Sequence, residues 1–467
     1  MSEPTIEAEP RQCWIAGRPE RGEHTLTVRH PFDGTDVADV TVAGPEQVER
    51  AIAGAAEVAR HFRDLPAARR AGTLTRIADL LSRRAEEVAE TITAESGKPW
   101  QLAEREVTDA VGVFRAAAGD AIGFAEALAR SGTDAAGRLT VVRRRARGPV
   151  LAIGAFACPL AGLARQLAPA IAIGAPVLSK PAVATPLSAL LLAEILADTD
   201  LPAGTFSVLP LRDKDVSYLV EDPRLPVVAF TGSRAACDAL RAATPGKQFV
   251  FELGTNTAAI VCPDLAGDAD LDHAAQRIAR SATAQAGQAR LAVRRVFVHR
   301  DLAARFEPKL LAAMRALATG SPHDPDVTVG PLIGEKAAIL ATQWINEAIA
   351  VGARLLTGGV RDRATLTPTV LAVRPEFAGE EILGPIVLLS AVDTVRSAVE
   401  AANATESGLP VGVFSHDVRT GLVAADELDS DVAVGDLPTD AGTDDLRLFV
   451  EGYTERQIVV LGGGRAD

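Results

Sequence analysis

The chain of 467 residues is 48% hydrophobic and carries a formal charge of -13 at neutral pH, enough material for two or three domains with substantial cores. The acidic balance argues against a nucleic-acid surface, which needs clustered Lys and Arg. The one dense basic run, Arg143, Arg144, Arg145 and Arg147, reads as a solvated or interface strand. The start MSEPTIEAEP lacks the basic flank and apolar core of a signal peptide, and no apolar run is long enough to span a bilayer. A cytoplasmic protein with no membrane segment is therefore expected. Cys13, Cys158, Cys237 and Cys262 are widely spaced with no C-x-x-C pair, which fits reduced thiols better than a disulfide framework or a metal site.

Strand-like alternation around the turn HPFDG predicts extended structure over 25–42, and the spacing of Val48, Ala51, Ile52, Ala55 and Val58 predicts a helix over 45–60. A second helix is expected over 67–91. Gly97 and Pro99 then break the pattern, a third helix is expected over 103–128, and the β-branched run at 137–142 reads as a strand. After Gly148 short apolar strands (VLAIGAF, PVLSKP, FSVLPL, PVVAFTG) alternate with the helices LARQLAPAIAIG and PLSALLLAEILADT, the signature of a parallel sheet. Such sheets bind ligands where strands run into helices, but no G-x-G-x-x-G occurs, so the usual dinucleotide fingerprint is absent. A second α/β unit, with strands AAIVC, VRRVFVH, PTVLAV and PIVLLSAV and helices over 301–317 and 336–351, runs from near Phe249 to about Gly435. The tail TERQIVVLG is a last strand.

The ordered motifs HPFDG, ESGKP, APAIAIG, LSKPA, FTGS, FELG, AGQ, VGPLI, EEILGP and SGLPVGVFSHD make the chain similar to the aldehyde dehydrogenase superfamily from about Trp14 to Leu461. The resemblance implies an α/β fold of two parallel-sheet domains plus a small β oligomerisation element. The nucleotide-binding domain would comprise 1–128 and 148–250, the catalytic-type domain 251–434, and the oligomerisation hairpin and tail strand 129–147 and 435–467. It also implies NAD or NADP as cofactor, a small carbonyl or anionic ligand, and a homodimer or homotetramer in which a hairpin from one subunit joins another's sheet.

Taken position by position, the resemblance places Glu252 of FELGT at the general base, Lys180 of SKPA at the adenosine ribose, Ser233 of FTGS at the phosphates and Glu381 of EEILGP at the nicotinamide ribose. Several positions depart from it, among them Thr255 for the second glycine after Glu252 and Leu383 for the phenylalanine beside the nicotinamide ribose. Arg290 follows Gly287, Gln288 and Ala289 where the family carries its nucleophilic cysteine, and Ala157 stands for the oxyanion-binding asparagine. Val183 replaces the acidic residue that reads the adenosine ribose, and the loop that walls the family's substrate tunnel is shortened and acidic over 440–452. A guanidinium offers no lone pair to a carbonyl carbon, so position 290 cannot form a thiohemiacetal.

Arg290 reads either as a salt bridge filling the old thiol site, with Glu252 as partner, or as a clamp for a carboxylate or phosphate. Cys158 reads as a small buried residue or, beside Ala157 on a loop of the family's tunnel, as a relocated nucleophile. Three functions remain open: a repurposed or non-catalytic member with a degenerate site, an NAD(P)-dependent oxidoreductase with a relocated nucleophile, and a structural or regulatory subunit of an active dehydrogenase.

Overall fold

The computed structural model describes residues 9–123, 128–131, 139–254, 256–377, 383–404, 410–438 and 445–461. His24–Arg29 and Asp36–Val42 pair antiparallel. The turn between them contains Gly34 at φ +78°, a backbone that favours glycine. Helices Pro45–Asp64, Ala67–Arg83, Ala85–Ser96 and Trp100–Gly123 follow. The single helix expected over 67–91 is thus two, because Arg84 leaves helical geometry at φ -103° and ψ 20°. Its guanidinium is held by Glu87 at 2.7 Å and Glu194 at 3.0 Å, which fixes the break.

The first seven-stranded sheet runs in the order Gln248–Leu253, Val227–Gly232, Val150–Ile153, Val177–Lys180, Phe206–Val208, Cys13–Ile15, Arg18–Glu20. Its first five strands are parallel. Helix Ala161–Ile173 is buried at every position and follows the Val150–Ile153 strand, helix Leu187–Ala197 follows Val177–Lys180, and helix Arg234–Ala243 follows Val227–Gly232. The C-terminal ends of these strands therefore share one edge, where an open α/β sheet receives its ligand. Strand Gln248–Leu253 crosses the 250/251 boundary read from the sequence, so Glu252 stands on this first sheet.

The second seven-stranded sheet has the order Arg354–Thr357, Thr369–Ala372, Ile386–Val392, Val293–His299, Thr257–Val261, Val411–Phe414, Val432–Val434. The protein therefore has the α/β architecture expected, with two large sheets and smaller ones beside them. In a third sheet the tail strand Thr454–Leu461 lies antiparallel to Leu139–Ala146, which also pairs with Leu128–Ser131. The strand Val150–Ile153, which follows this hairpin in the chain, belongs to the first sheet. Ile458 and Val460 on the outer strand are 66% and 53% exposed.

Two buried carboxylates fix the helix starts on the first sheet. Glu95 accepts from the backbone N–H of Leu187 and of Ser188 (3.0 Å) and from the Ser188 hydroxyl. Glu106 accepts from the N–H groups of Leu160 and Ala161, both at 3.0 Å, and pairs with Lys98. Burial pushes the Glu95 carboxyl up to about 8, against the pull of its donors and helped by the nearby charge of Glu106. A carboxyl whose pKa rises on folding stabilises the fold below its unfolded value of about 4.3, and that contribution is lost as pH rises through the folded value. Between pH 5 and 8 the wild type should therefore lose on the order of 3 kcal/mol relative to Glu95→Gln, which cannot ionise. Denaturant titrations of both proteins across that range check it, and parallel profiles would refute the assignment.

Candidate active site

Along strand Gln248–Leu253 alternate side chains point to opposite faces, and Val250 and Glu252 share the face covered by helices Ala161–Ile173 and Asp445–Tyr453. Glu252 is 4% exposed. Its Oε1 accepts from Arg165 Nε at 2.8 Å and its Oε2 from the Thr231 hydroxyl at 2.9 Å. The expected pair between Glu252 and Arg290 is therefore not formed; the strand's alternation aims the carboxylate at the helix that carries Arg165. The Thr231 hydroxyl also accepts from Gln166 at 3.0 Å, and Tyr453 donates to the Gln166 carbonyl at 3.2 Å. Burial holds the Tyr453 phenol well above its usual pKa, and the Glu252 charge adds to this. Of the shortened acidic stretch read over 440–452, the described part is helical, Asp445–Tyr453, and this helix backs the Glu252 network.

Arg290 is half-buried at the end of a left-handed turn. Gln285, Ala286 and Gly287 have φ of 51°, 52° and 72°. For the two non-glycine residues that backbone costs of order 1–3 kcal/mol each, which the surrounding packing must over-determine. Arg294 supplies part of that packing by donating to the carbonyls of Gly287 and Gly384. Gln288, 2% exposed, accepts from Ile333 N–H at 2.8 Å. Arg290 packs on Gly254: a Cβ there would meet Arg290 Cγ at 2.7 Å and Cα at 3.0 Å, so a larger residue would displace the arginine.

These groups converge on a cleft of about 260 Å³, lined by Ala157, Cys158, Arg165, Ser233, Glu252 and Arg290 among others. Sequence reading placed Glu252, Arg290, Cys158 and Ala157 at one centre and Ser233 among the cofactor contacts; all five line this cleft. It missed Arg165 and Thr231. An arginine inside the otherwise apolar run LAGLARQLAPAIAIG was the available signal for Arg165, since a buried guanidinium calls for a carboxylate.

Ser233 is the N-cap of helix Arg234–Ala243, accepting from Ala236 N–H at 3.4 Å. Lys180 ends its strand outside the lining of this cleft, 3% exposed, and forms an ion pair with Asp213. Asp213 was not singled out in the sequence, and it supplies a carboxylate beside Lys180 although position 183 is valine. Glu381 lies outside the described residues.

Cys158 is half-buried in the cleft, whereas Cys13, Cys237 and Cys262 are buried. Burial pushes the Cys13 thiol up to about 11 and the Cys262 thiol up to about 12. Burial is the largest influence on Lys98 and opposes its charge, but Glu106, a thiolate at Cys158 and Asp109 together raise its pKa on balance. Iodoacetamide at neutral pH, followed by peptide mass spectrometry, should modify Cys158 roughly tenfold or more faster than the other three, because exposure and nearby positive charge govern thiolate reactivity. Equal rates would leave it a packing residue.

The chain belongs to the aldehyde dehydrogenase family, whose profile matches residues 18–437. It is 29% identical over 469 residues to a 3-sulfolactaldehyde dehydrogenase of Priestia aryabhattai, covering 96% of this chain and 97% of the relative. Among solved structures it resembles aldehyde dehydrogenase 21 of Physcomitrella patens in complex with the reaction product succinate, at 32% identity and a TM-score of 0.93, covering 98% and 100% of the two chains. It also resembles the NADP-dependent glyceraldehyde-3-phosphate dehydrogenase of Bacillus halodurans complexed with NADP, at 27% identity and a TM-score of 0.92, covering 97% and 100%.

Proposed function

We propose that this family member binds NAD or NADP along the first sheet and a small anionic carbonyl or carboxylate compound in the cleft, without thioester chemistry. The observation that carries the reading is Arg290 set at the end of the left-handed turn, in one cleft with Arg165, where a nucleophile would need a lone pair. Arg165 is paired with Glu252, and the planar guanidinium fork of Arg290 suits a carboxylate, sulfonate or phosphate. The compounds named for the relatives and solved neighbours, 3-sulfolactaldehyde, succinate and glyceraldehyde-3-phosphate, are all anionic.

The residues present fit a dinucleotide. Lys180 with Asp213 would hold the adenosine ribose, the helix start at Ser233 a phosphate, and Glu381 the nicotinamide ribose. A bound nicotinamide would supply two-electron oxidation or reduction. The chain's own groups would orient the anion through Arg290 and hold the Glu252 side chain against Arg165. Calorimetry with NAD and NADP should show binding that Lys180→Ala weakens about tenfold, the worth of one charge-assisted hydrogen bond. Binding unchanged by that substitution would move the ribose site elsewhere. Succinate, titrated into the NAD(P)-saturated protein, should bind the wild type and fail to bind Arg290→Ala; equal binding would remove Arg290 from recognition.

The reading also includes a homodimer or homotetramer, supported by the open strand edge with exposed Ile458 and Val460. The division into a nucleotide domain, a catalytic-type domain and an oligomerisation element is part of the same proposal.

A further inference from the structure

A second cleft, of about 630 Å³, lies where the end of helix Pro45–Asp64, the start of helix Ala67–Arg83 and strand Leu139–Ala146 meet, and it shares no lining residue with the first. Six arginines line it (Arg60, Arg63, Arg70, Arg143, Arg144, Arg145), against one acidic residue, Asp64. In a chain whose formal charge is -13, that concentration of one sign runs against the molecule's own field, and closely set like charges raise the energy of the empty cleft.

The arginines are incompletely compensated. Arg63 reaches Asp64 at 3.3 Å and Arg144 reaches Glu451 at 3.3 Å. Arg143 gives its Nε to the neutral Gln457 amide at 2.7 Å, and Arg145 makes no ion pair or side-chain hydrogen bond among the described residues. Arg70 is the most telling. It is 7% exposed, and its Nε and Nη1 donate to the carbonyls of Ala172 (2.9 Å), Arg63 (3.3 Å) and Leu65, at the ends of helices Ala161–Ile173 and Pro45–Asp64. No carboxylate among the described residues pairs with it, and burial lowers its pKa. Those carbonyls carry only the partial negative charge of helix C-termini. Its Nη2, on a side chain that lines the cleft, has no hydrogen-bond partner among the described residues.

We propose that this arginine cleft is a binding site for a small polyanion, of the diphosphate or polycarboxylate class. Guanidinium groups approaching from two helices and a strand can each present paired N–H donors to a planar or tetrahedral oxyanion, and an anion with two or more charges could bridge them. Because Leu139–Ala146 is the middle strand of the tail sheet, a bound polyanion would also tie that sheet to the two helices.

The test uses the full-length protein with inorganic pyrophosphate and with citrate as separate probes, by calorimetry at constant ionic strength and with NADP saturating, so that the nucleotide cleft is filled. One or both probes should bind, and Arg143→Ala with Arg145→Ala should weaken that binding by roughly a hundredfold, about tenfold for each charge-assisted contact. Pyrophosphate binding without citrate binding assigns the phosphate class, and the reverse assigns the carboxylate class. Arg145→Gln, which keeps a donor and removes the charge, guards against a folding defect and should still lose about tenfold. Failure of both probes to bind at millimolar concentration, or binding unaffected by the substitutions, overturns the proposal. So does loss of the oligomer in the double variant without any probe binding to the wild type, which would make the arginines subunit contacts.

Discussion

Incubated with NAD or NADP and with short, long, aromatic or anionic aldehydes, the purified protein is expected to show no cofactor reduction that thiol alkylation abolishes. With Arg290 read at the family's nucleophile position, the covalent step has no electron pair to begin it. Removing the nucleophile of a comparable covalent enzyme costs about a millionfold in turnover. Ala157, read at the oxyanion position, removes a donor whose loss costs roughly a further 100- to 1,000-fold in other acyl-transfer sites. Restoring cysteine at 290 alone is not expected to rescue the reaction, since Glu252 is already engaged by Arg165 and Thr231. Robust reduction that disappears on alkylation would overturn this reading, and its loss in Cys158→Ala would identify the substitute nucleophile.

The Arg165–Glu252 pair sets the largest stability effect. Both side chains are nearly inaccessible, at 6% and 4%. Breaking a buried pair on one side leaves a charge that low-dielectric surroundings cannot solvate, so Glu252→Ala should cost about 3–5 kcal/mol in denaturant unfolding. Glu252→Gln should cost less, because the amide oxygen can still accept from Arg165. Replacing both partners by leucine should recover much of the loss, since a well-packed apolar substitute avoids the desolvation that the pair incurs. A loss below about 1 kcal/mol for Glu252→Ala would mean that the carboxylate contributes little to holding the arginine.

The parallel sheets were legible because their strands are short apolar runs between helices, and the cleft was legible because its residues sit in motifs of fixed order. What escaped notice was partner choice. Arg290 and Glu252 are adjacent in the family's chemistry, which suggested a pair, but side-chain direction on strand Gln248–Leu253 decided for Arg165, 87 residues earlier in the chain. The break at Arg84 was hidden for a related reason: no glycine or proline marks it, and it is fixed by two carboxylates, one of them 110 residues away. Asp213 came from outside the motif that predicted an acid near the ribose, so the missing charge at Val183 was visible while its nearby replacement was not.

The capping of the first sheet's helices by Glu95 and Glu106 has a consequence for how the sheet could receive any negatively charged guest. A parallel sheet of this kind offers an incoming phosphate several helix starts, each a cluster of backbone donors. Here two of those berths are filled from within: Glu106 takes the donors of Leu160 and Ala161, and Glu95 those of Leu187 and Ser188. Both acidic side chains arrive from helices that precede the sheet's parallel strands in the chain. The helix start at Ser233, capped only by a neutral hydroxyl, is left without such an internal competitor. The early helices thus act as selective stoppers, and the direction in which a dinucleotide could lie is narrowed before any cofactor arrives.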